Sequence, residues 1–160
     1  MSKGRVVKAA VCYEVGKPLV MEEVILEPPG KGEVTIRCAA TSICHSDIHM
    51  IKGEHGPCQL PAVAGHETSG YVEEVGEGVT YVKPGDLVVY TLIPAPCGHC
   101  YYCSIGEHNQ CLNNQIVTRS PGRLTTKKGQ RIYQWYGTMA TFAEYATGLE
   151  TNLVKIPQDM

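Results

Sequence analysis

Four cysteines, Cys97, Cys100, Cys103 and Cys111, stand in the spacing C-x2-C-x2-C-x7-C and make up half of the chain's eight. Thiolates two or three residues apart can turn inward on one tight loop, and four of them close a tetrahedron about 2.3 Å from a zinc ion. A shell filled by four thiolates has no open position, so its role is structural. Two disulfides are the competing use of the same residues. The opening MSKGRVVKAAVCYEV carries charges but no apolar run of the secretory kind, which favours metal over disulfide. His99 lies inside this lobe and is not expected to be a ligand, because the thiolates already complete the shell.

A second group lies upstream, in Cys44-His45-Ser46-Asp47-Ile48-His49 and Gly65-His66-Glu67. Thiolate and neutral imidazole are both good zinc ligands, and a catalytic zinc takes three protein ligands while leaving one position for water or substrate. Cys44 and His66 supply two of the three. Glu67 is the local candidate for the gap, or else a carboxylate standing just behind the metal. On spacing alone, Cys44 reads equally well as a buried thiol and His66 as a core histidine. Ser46 and His49, taken alone, read as a helix-capping serine and a surface histidine.

The elements that must position these residues read as β. Residues 6–15, 19–26 and 33–40 are short runs rich in Val and Ile, punctuated by Gly16-Lys17-Pro18 and Pro28-Pro29-Gly30-Lys31-Gly32. Further strands are expected at 68–75, 86–92, 141–146 and 153–156, with short helical turns at 46–52 and 100–107. Many short strands at this spacing predict a mainly β barrel or sandwich with few helices. The polar stretch 113–135, with Arg119, Arg123, Lys127, Lys128 and Arg131, reads as a solvated excursion.

Composition limits the remaining choices. The 160 residues suit one domain, and a net charge of −2 with 19% charged residues gives no electrostatic footprint for nucleic acid. The lobe from Cys97 to Cys111 holds no Lys or Arg, which argues against a nucleic-acid-binding zinc ribbon. No apolar run reaches the roughly 18 residues that span a bilayer. A reducing, cytoplasmic setting is expected.

The stretch Gly65-His66-Glu67-Thr68-Ser69-Gly70-Tyr71-Val72-Glu73-Glu74-Val75-Gly76-Glu77-Gly78-Val79 resembles the signature G-H-E-x2-G-x5-G-x2-V of the zinc-dependent medium-chain alcohol dehydrogenases. Cys44 to His49 is similar to that family's C-x-[ST]-D-x-H segment, the four-cysteine lobe to its structural zinc lobe, and GTMATFAEY at 137–145 to the segment that follows it. The resemblance implies a GroES-like distorted β-barrel over residues 1–160. It implies a structural zinc on Cys97, Cys100, Cys103 and Cys111 and a catalytic zinc on Cys44 and His66, with Glu67 close by and Asp47 bonded to the zinc-bound histidine. Zinc would act as a Lewis acid on the substrate oxygen. Ser46 would bond the alcohol and pass its proton, by way of the cofactor ribose, to His49, and hydride would go to NAD or NADP. His45 would meet the cofactor pyrophosphate, where many members carry arginine, with weaker and pH-dependent binding expected.

The family chain is about twice as long and continues into a Rossmann domain that supplies the dinucleotide site and a further cysteine ligand. No G-x-G-x-x-G occurs in these 160 residues. The chain is therefore read as the N-terminal portion of an enzyme that oxidises a small alcohol to an aldehyde or ketone, a homo-oligomer at full length, and it is expected not to turn over alone. The alternative is an inactive, zinc-stabilised binding or scaffold module. Pro61, Tyr90 and Tyr136 are guessed from position to approach the substrate cleft.

Overall fold

Val7, Ala9 and Val11 alternate with outward Val6 and Lys8 along β1 (Arg5–Cys12), so one side of the strand is apolar and must be covered. A computed structural model, describing residues 4–54, 56, 58–92, 96–113, 122–135 and 139–159, shows how. β1 pairs antiparallel with β2 (Val20–Leu26) from Arg5↔Leu26 to Val11↔Val20. After β3 (Glu33–Thr41) and α1 (His45–Lys52), β4 (Ala62–Val63) returns to pair with β1. β5 (Thr68–Val75), β6 (Leu87–Tyr90) and α2 (Tyr101–Ser104) follow, then β7 (Leu124–Thr126) and β8 (Arg131–Gln134). The chain described ends with β9 (Tyr145–Leu149) and β10 (Leu153–Lys155). Strands β1, β2, β7, β8 and β4 close a barrel, and β10, β6, β5, β3 and β9 form a second sheet in that order. The mainly β barrel with few short helices agrees with the reading of the sequence.

Three expectations are corrected. The stretch 113–135 is not a solvated excursion where it is described, because β7 and β8 lie in it and close the barrel. Leu124 and Ile132 are fully buried there, each removal from water contributing about 1.5–3 kcal/mol. Three of its basic residues are paired, Arg123 with Glu33, Lys127 with Glu23 and Arg131 with Glu27, while Lys128 is exposed. Arg119 lies outside the described residues. The strand expected at 141–146 is displaced to Tyr145–Leu149. Residues 139–144 instead run between the two sheets, bonding to both: Ala10 N–H to Phe142 O at 2.8 Å, Glu144 N–H to Lys8 O at 3.0 Å, and Cys38 N–H to Glu144 O at 2.9 Å. Met139 packs in the core of the second sheet and Ala140 in that of the barrel. The first strand stops at Cys12, short of residue 15.

Candidate metal centres

In the cysteine lobe, Cys100 caps α2, Cys103 rides on it, and Cys97 and Cys111 approach from the flanking loops. The Sγ atoms of Cys97 and Cys103 are 3.9 Å apart and those of Cys100 and Cys111 are 4.0 Å apart. A tetrahedron with metal–sulfur bonds of about 2.3 Å has edges of about 3.8 Å, whereas a disulfide needs about 2.05 Å. All eight cysteines are unbridged, and the four lobe sulfurs lie within 4.8 Å of one another. The donor set therefore fits zinc. His99 turns its Nδ1 to the Cys97 carbonyl at 2.7 Å and stands outside the sulfur cluster.

The lobe also prepares its thiolates unequally. The backbone N–H of His99, and then the Asn113 side chain, pull the Cys97 thiol down to about 5. The backbone N–H groups of Cys103 and Leu112 lower Cys100. Burial pushes Cys103 up to about 11.

The second centre is built from two separate segments. Cys44 is the N-cap of α1, with extended backbone, and the third helical residue is Asp47. Asp47 Oδ2 accepts the Cys44 backbone N–H at 3.0 Å, one half of a capping box. Its other oxygen accepts the Gly65 N–H at 3.0 Å and faces His66 Nδ1 at 3.2 Å. With no solvent exposure, this one carboxylate ties the helix start to the segment that carries His66. It holds the proton on Nδ1 and leaves the Nε2 lone pair facing the other way.

On that side stand Ser46, whose hydroxyl donates to Nε2 at 3.2 Å, and Glu67 Oε1 at 3.9 Å. The ligand atoms of Cys44, His66 and Glu67 lie within 4.8 Å of one another, and thiol with imidazole is a donor set that suits zinc. The Ser42 hydroxyl donates to Glu67 and, ahead of smaller effects from Cys44 and His66, holds its carboxyl below the usual range.

Two glycines are required by the backbone, Gly65 next to His66 and Gly76 just past the other end of β5. Gly65 has φ +94°, and a Cβ on it would meet Thr141 Oγ1 at 2.5 Å. A Cβ on Gly76 would lie 1.8 Å from the Gly30 carbonyl oxygen. Thr41 Oγ1 and Ser42 N–H both donate to the Glu67 carbonyl, at 2.9 and 3.0 Å, fastening the end of β3 to the start of β5.

His49 lies one turn along α1, its Nδ1 hydrogen-bonded to Glu54, and its ring centroid is 4.6 Å from that of His45. A cleft of about 680 Å³ opens beside His66 and Glu67, walled on its apolar side by Val89, Tyr90 and Leu92. Tyr90 lies in the wall of this cleft, but its side chain is buried in the core of the second sheet. Pro61 does not line it: the residue is buried, and its carbonyl accepts the Tyr133 N–H at 2.8 Å. Tyr136 lies outside the described residues. Sequence reasoning missed Ser42 and Glu54, polar residues that only the folded loops bring to Glu67 and His49. Among the described residues, no helix is long and apolar enough to cross a membrane.

Residues 30–158 match the family model described as the alcohol dehydrogenase GroES-like domain. Over 155 residues the chain is 42% identical to an S-(hydroxymethyl)glutathione dehydrogenase of Escherichia coli O1:K1 / APEC, covering 93% of this chain and 41% of the relative. Among solved structures, it resembles an alcohol dehydrogenase zinc-binding domain protein from Burkholderia ambifaria, with TM-score 0.87 and 33% identity over 97% of this chain and 43% of that one. It also resembles benzyl alcohol dehydrogenase from Acinetobacter calcoaceticus, with TM-score 0.81 and 30% identity over 98% of this chain and 42% of that one. The chain thus spans less than half the length of these relatives.

Proposed function

Because the chain belongs to the family of alcohol dehydrogenase GroES-like domains, we propose that residues 1–160 act as one catalytic domain of a zinc-dependent, NAD(P)-linked alcohol dehydrogenase that takes an alcohol to an aldehyde or ketone. The observation that carries this reading is the convergence of the Cys44 thiol, the His66 imidazole and the Glu67 carboxylate, with buried Asp47 behind the imidazole. An inactive scaffold has no use for that convergence. Cys97, Cys100, Cys103 and Cys111 would hold a second, structural zinc.

Zinc between Cys44 and His66 would supply a Lewis acid against the substrate oxygen, and a nicotinamide the hydride acceptor. Asp47 keeps His66 in the tautomer that offers Nε2 to a metal. A metal on that lone pair would free the Ser46 hydroxyl, now on Nε2, to bond the alcohol. We assign to His49, partly exposed on the same helix and hydrogen-bonded to Glu54, the passing of the proton to water. His45, exposed one turn before it, is assigned to the cofactor pyrophosphate. The cleft beside Glu67 is where a small alcohol would lie.

We assign the dinucleotide site and a further thiolate ligand to the part of the relatives' length that this chain does not span. A cytoplasmic setting and a homo-oligomeric full-length enzyme complete the reading. The test is NAD(P)H formation by a full-length enzyme carrying these residues, with S-(hydroxymethyl)glutathione, benzyl alcohol and simple aliphatic alcohols as substrates. Turnover of at least one is expected, none is expected from the 160 residues alone, and Cys44→Ser should abolish it. Turnover that survives Cys44→Ser overturns the assignment.

A further inference from the structure

We propose that Ser42 is a positioning residue for the Cys44–His66 metal centre: its hydroxyl ties down one oxygen of the Glu67 carboxylate, so that the other is held toward the metal as a third ligand. The strands dictate the meeting. β3 ends at Thr41, β5 begins at Thr68, and these two residues pair, so the next residues outward, Ser42 and Glu67, face each other. The Ser42 hydroxyl donates to Glu67 Oε2. The other oxygen, Oε1, stands 3.9 Å from His66 Nε2, and the ligand atoms of Cys44, His66 and Glu67 all lie within 4.8 Å of one another. Only Ile43 separates Ser42 from Cys44, and Glu67 directly follows His66. Each segment that carries a metal ligand therefore also carries one half of this contact.

The hydroxyl acts on the carboxylate and not on the chain behind it. The Glu67 carbonyl is fastened separately, by Thr41 Oγ1 at 2.9 Å and the Ser42 backbone N–H at 3.0 Å, and neither bond needs the Ser42 side chain. The Glu67 side chain is 49% exposed, so packing does not fix it and a hydrogen-bond donor must. Cys44 also bonds this carboxylate, but a ligating cysteine has given up its proton and can no longer donate, which leaves Ser42 as the anchor. Carboxylates that bind metals are held by such outer partners, just as Asp47 holds His66. The role rests on the reading of Cys44 and His66 as metal ligands, and it is separate from those assigned to Ser46, Asp47 and His49.

Cobalt(II) is the probe, a zinc substitute whose visible absorption reports the ligands around it. The protein is given one equivalent of zinc, which the lobe thiols take, and is then titrated with cobalt. Ser42→Ala should weaken cobalt about tenfold and shift its visible bands, as water takes the place of the carboxylate. Ser42→Thr, which keeps a hydroxyl, should retain both affinity and bands. Glu67→Gln should weaken cobalt at least as much as Ser42→Ala. Adding Ser42→Ala to Glu67→Gln should weaken it no further, because the hydroxyl acts through the carboxylate. Ser42 is exposed, and far-ultraviolet circular dichroism with retention of the lobe zinc checks that each variant folds. Unchanged affinity and bands in Ser42→Ala overturn the proposal alone, as does a loss from Ser42→Ala that persists in full on top of Glu67→Gln. Cobalt binding that ignores Cys44→Ser overturns the metal centre itself, and the role of Ser42 with it.

Discussion

Asp47 has no solvent exposure, yet it faces donors from Cys44, Gly65 and His66. A carboxylate can be buried only when its lone pairs are used in this way. Asn at this position keeps the shape but turns an N–H2 toward an N–H, so Asp47→Asn should cost about 1–3 kcal/mol of stability. It should also weaken zinc at the Cys44–His66 centre by about 10–100-fold, as chelator competition would measure. Unchanged zinc affinity would show that the carboxylate serves the helix cap alone. The lobe thiols allow a separate test on metal-free protein. Cys97 is depressed to about 5, so its contribution to lobe stability is complete above the ordinary value of 9.0 and is lost as pH falls toward 5. Cys103 is raised to about 11, so its contribution holds below 9.0 and is lost as pH rises through 11. Ultraviolet titration of thiolate should find Cys97 ionised at neutral pH and Cys103 still a thiol above pH 9, with single Cys→Ser variants assigning each wave.

At the scale of elements, the barrel is closed by its least conspicuous strands. Strand β8 has only two buried side chains, Ile132 and Gln134, and β7 has Leu124 and Thr126. Two inward residues per strand, one of them polar in each case, give no periodicity to detect among the lysines and arginines around them. Strands β2, β3 and β5 were legible because seven to nine residues of Val- and Ile-rich alternation stand between glycine and proline turns. The cysteine lobe was legible because its ligands are local in sequence. The second centre was legible only through resemblance, since Asp47 meets Gly65 and His66 across 18 and 19 residues, which no local spacing rule encodes. If β8 closes the barrel as described, Ile132→Ala should cost about 2–5 kcal/mol, read as a lower urea midpoint at unchanged slope. A cost below 0.5 kcal/mol, as expected of a surface residue, would restore the excursion reading.

Across the whole molecule, the two centres differ in how completely this chain surrounds a metal. The lobe offers four thiols, whereas Cys44, His66 and the half-exposed Glu67 grip from one side. A chelator should therefore remove zinc in two stages, the Cys44–His66 ion first and the lobe ion only after long exposure or acidification, with elemental analysis following each. Simultaneous loss would mean that the centres are not independent. Residues 139–144, bonded to Lys8 and Ala10 on the barrel side and to Cys38 on the other, bear on a different property. They fasten sheets whose strands otherwise pair among themselves, and they do so with partners more than 100 positions away in sequence. Neither sheet can gain its full set of bonds until this late segment arrives, so the domain should fold slowly, with high contact order, and melt as a single cooperative unit. Trp135 fluorescence, from beside Cys12 and Ala62, and amide hydrogen exchange in β5 and β6 should report the same free energy of opening. Two separate transitions would mean that the fastening yields before either sheet does.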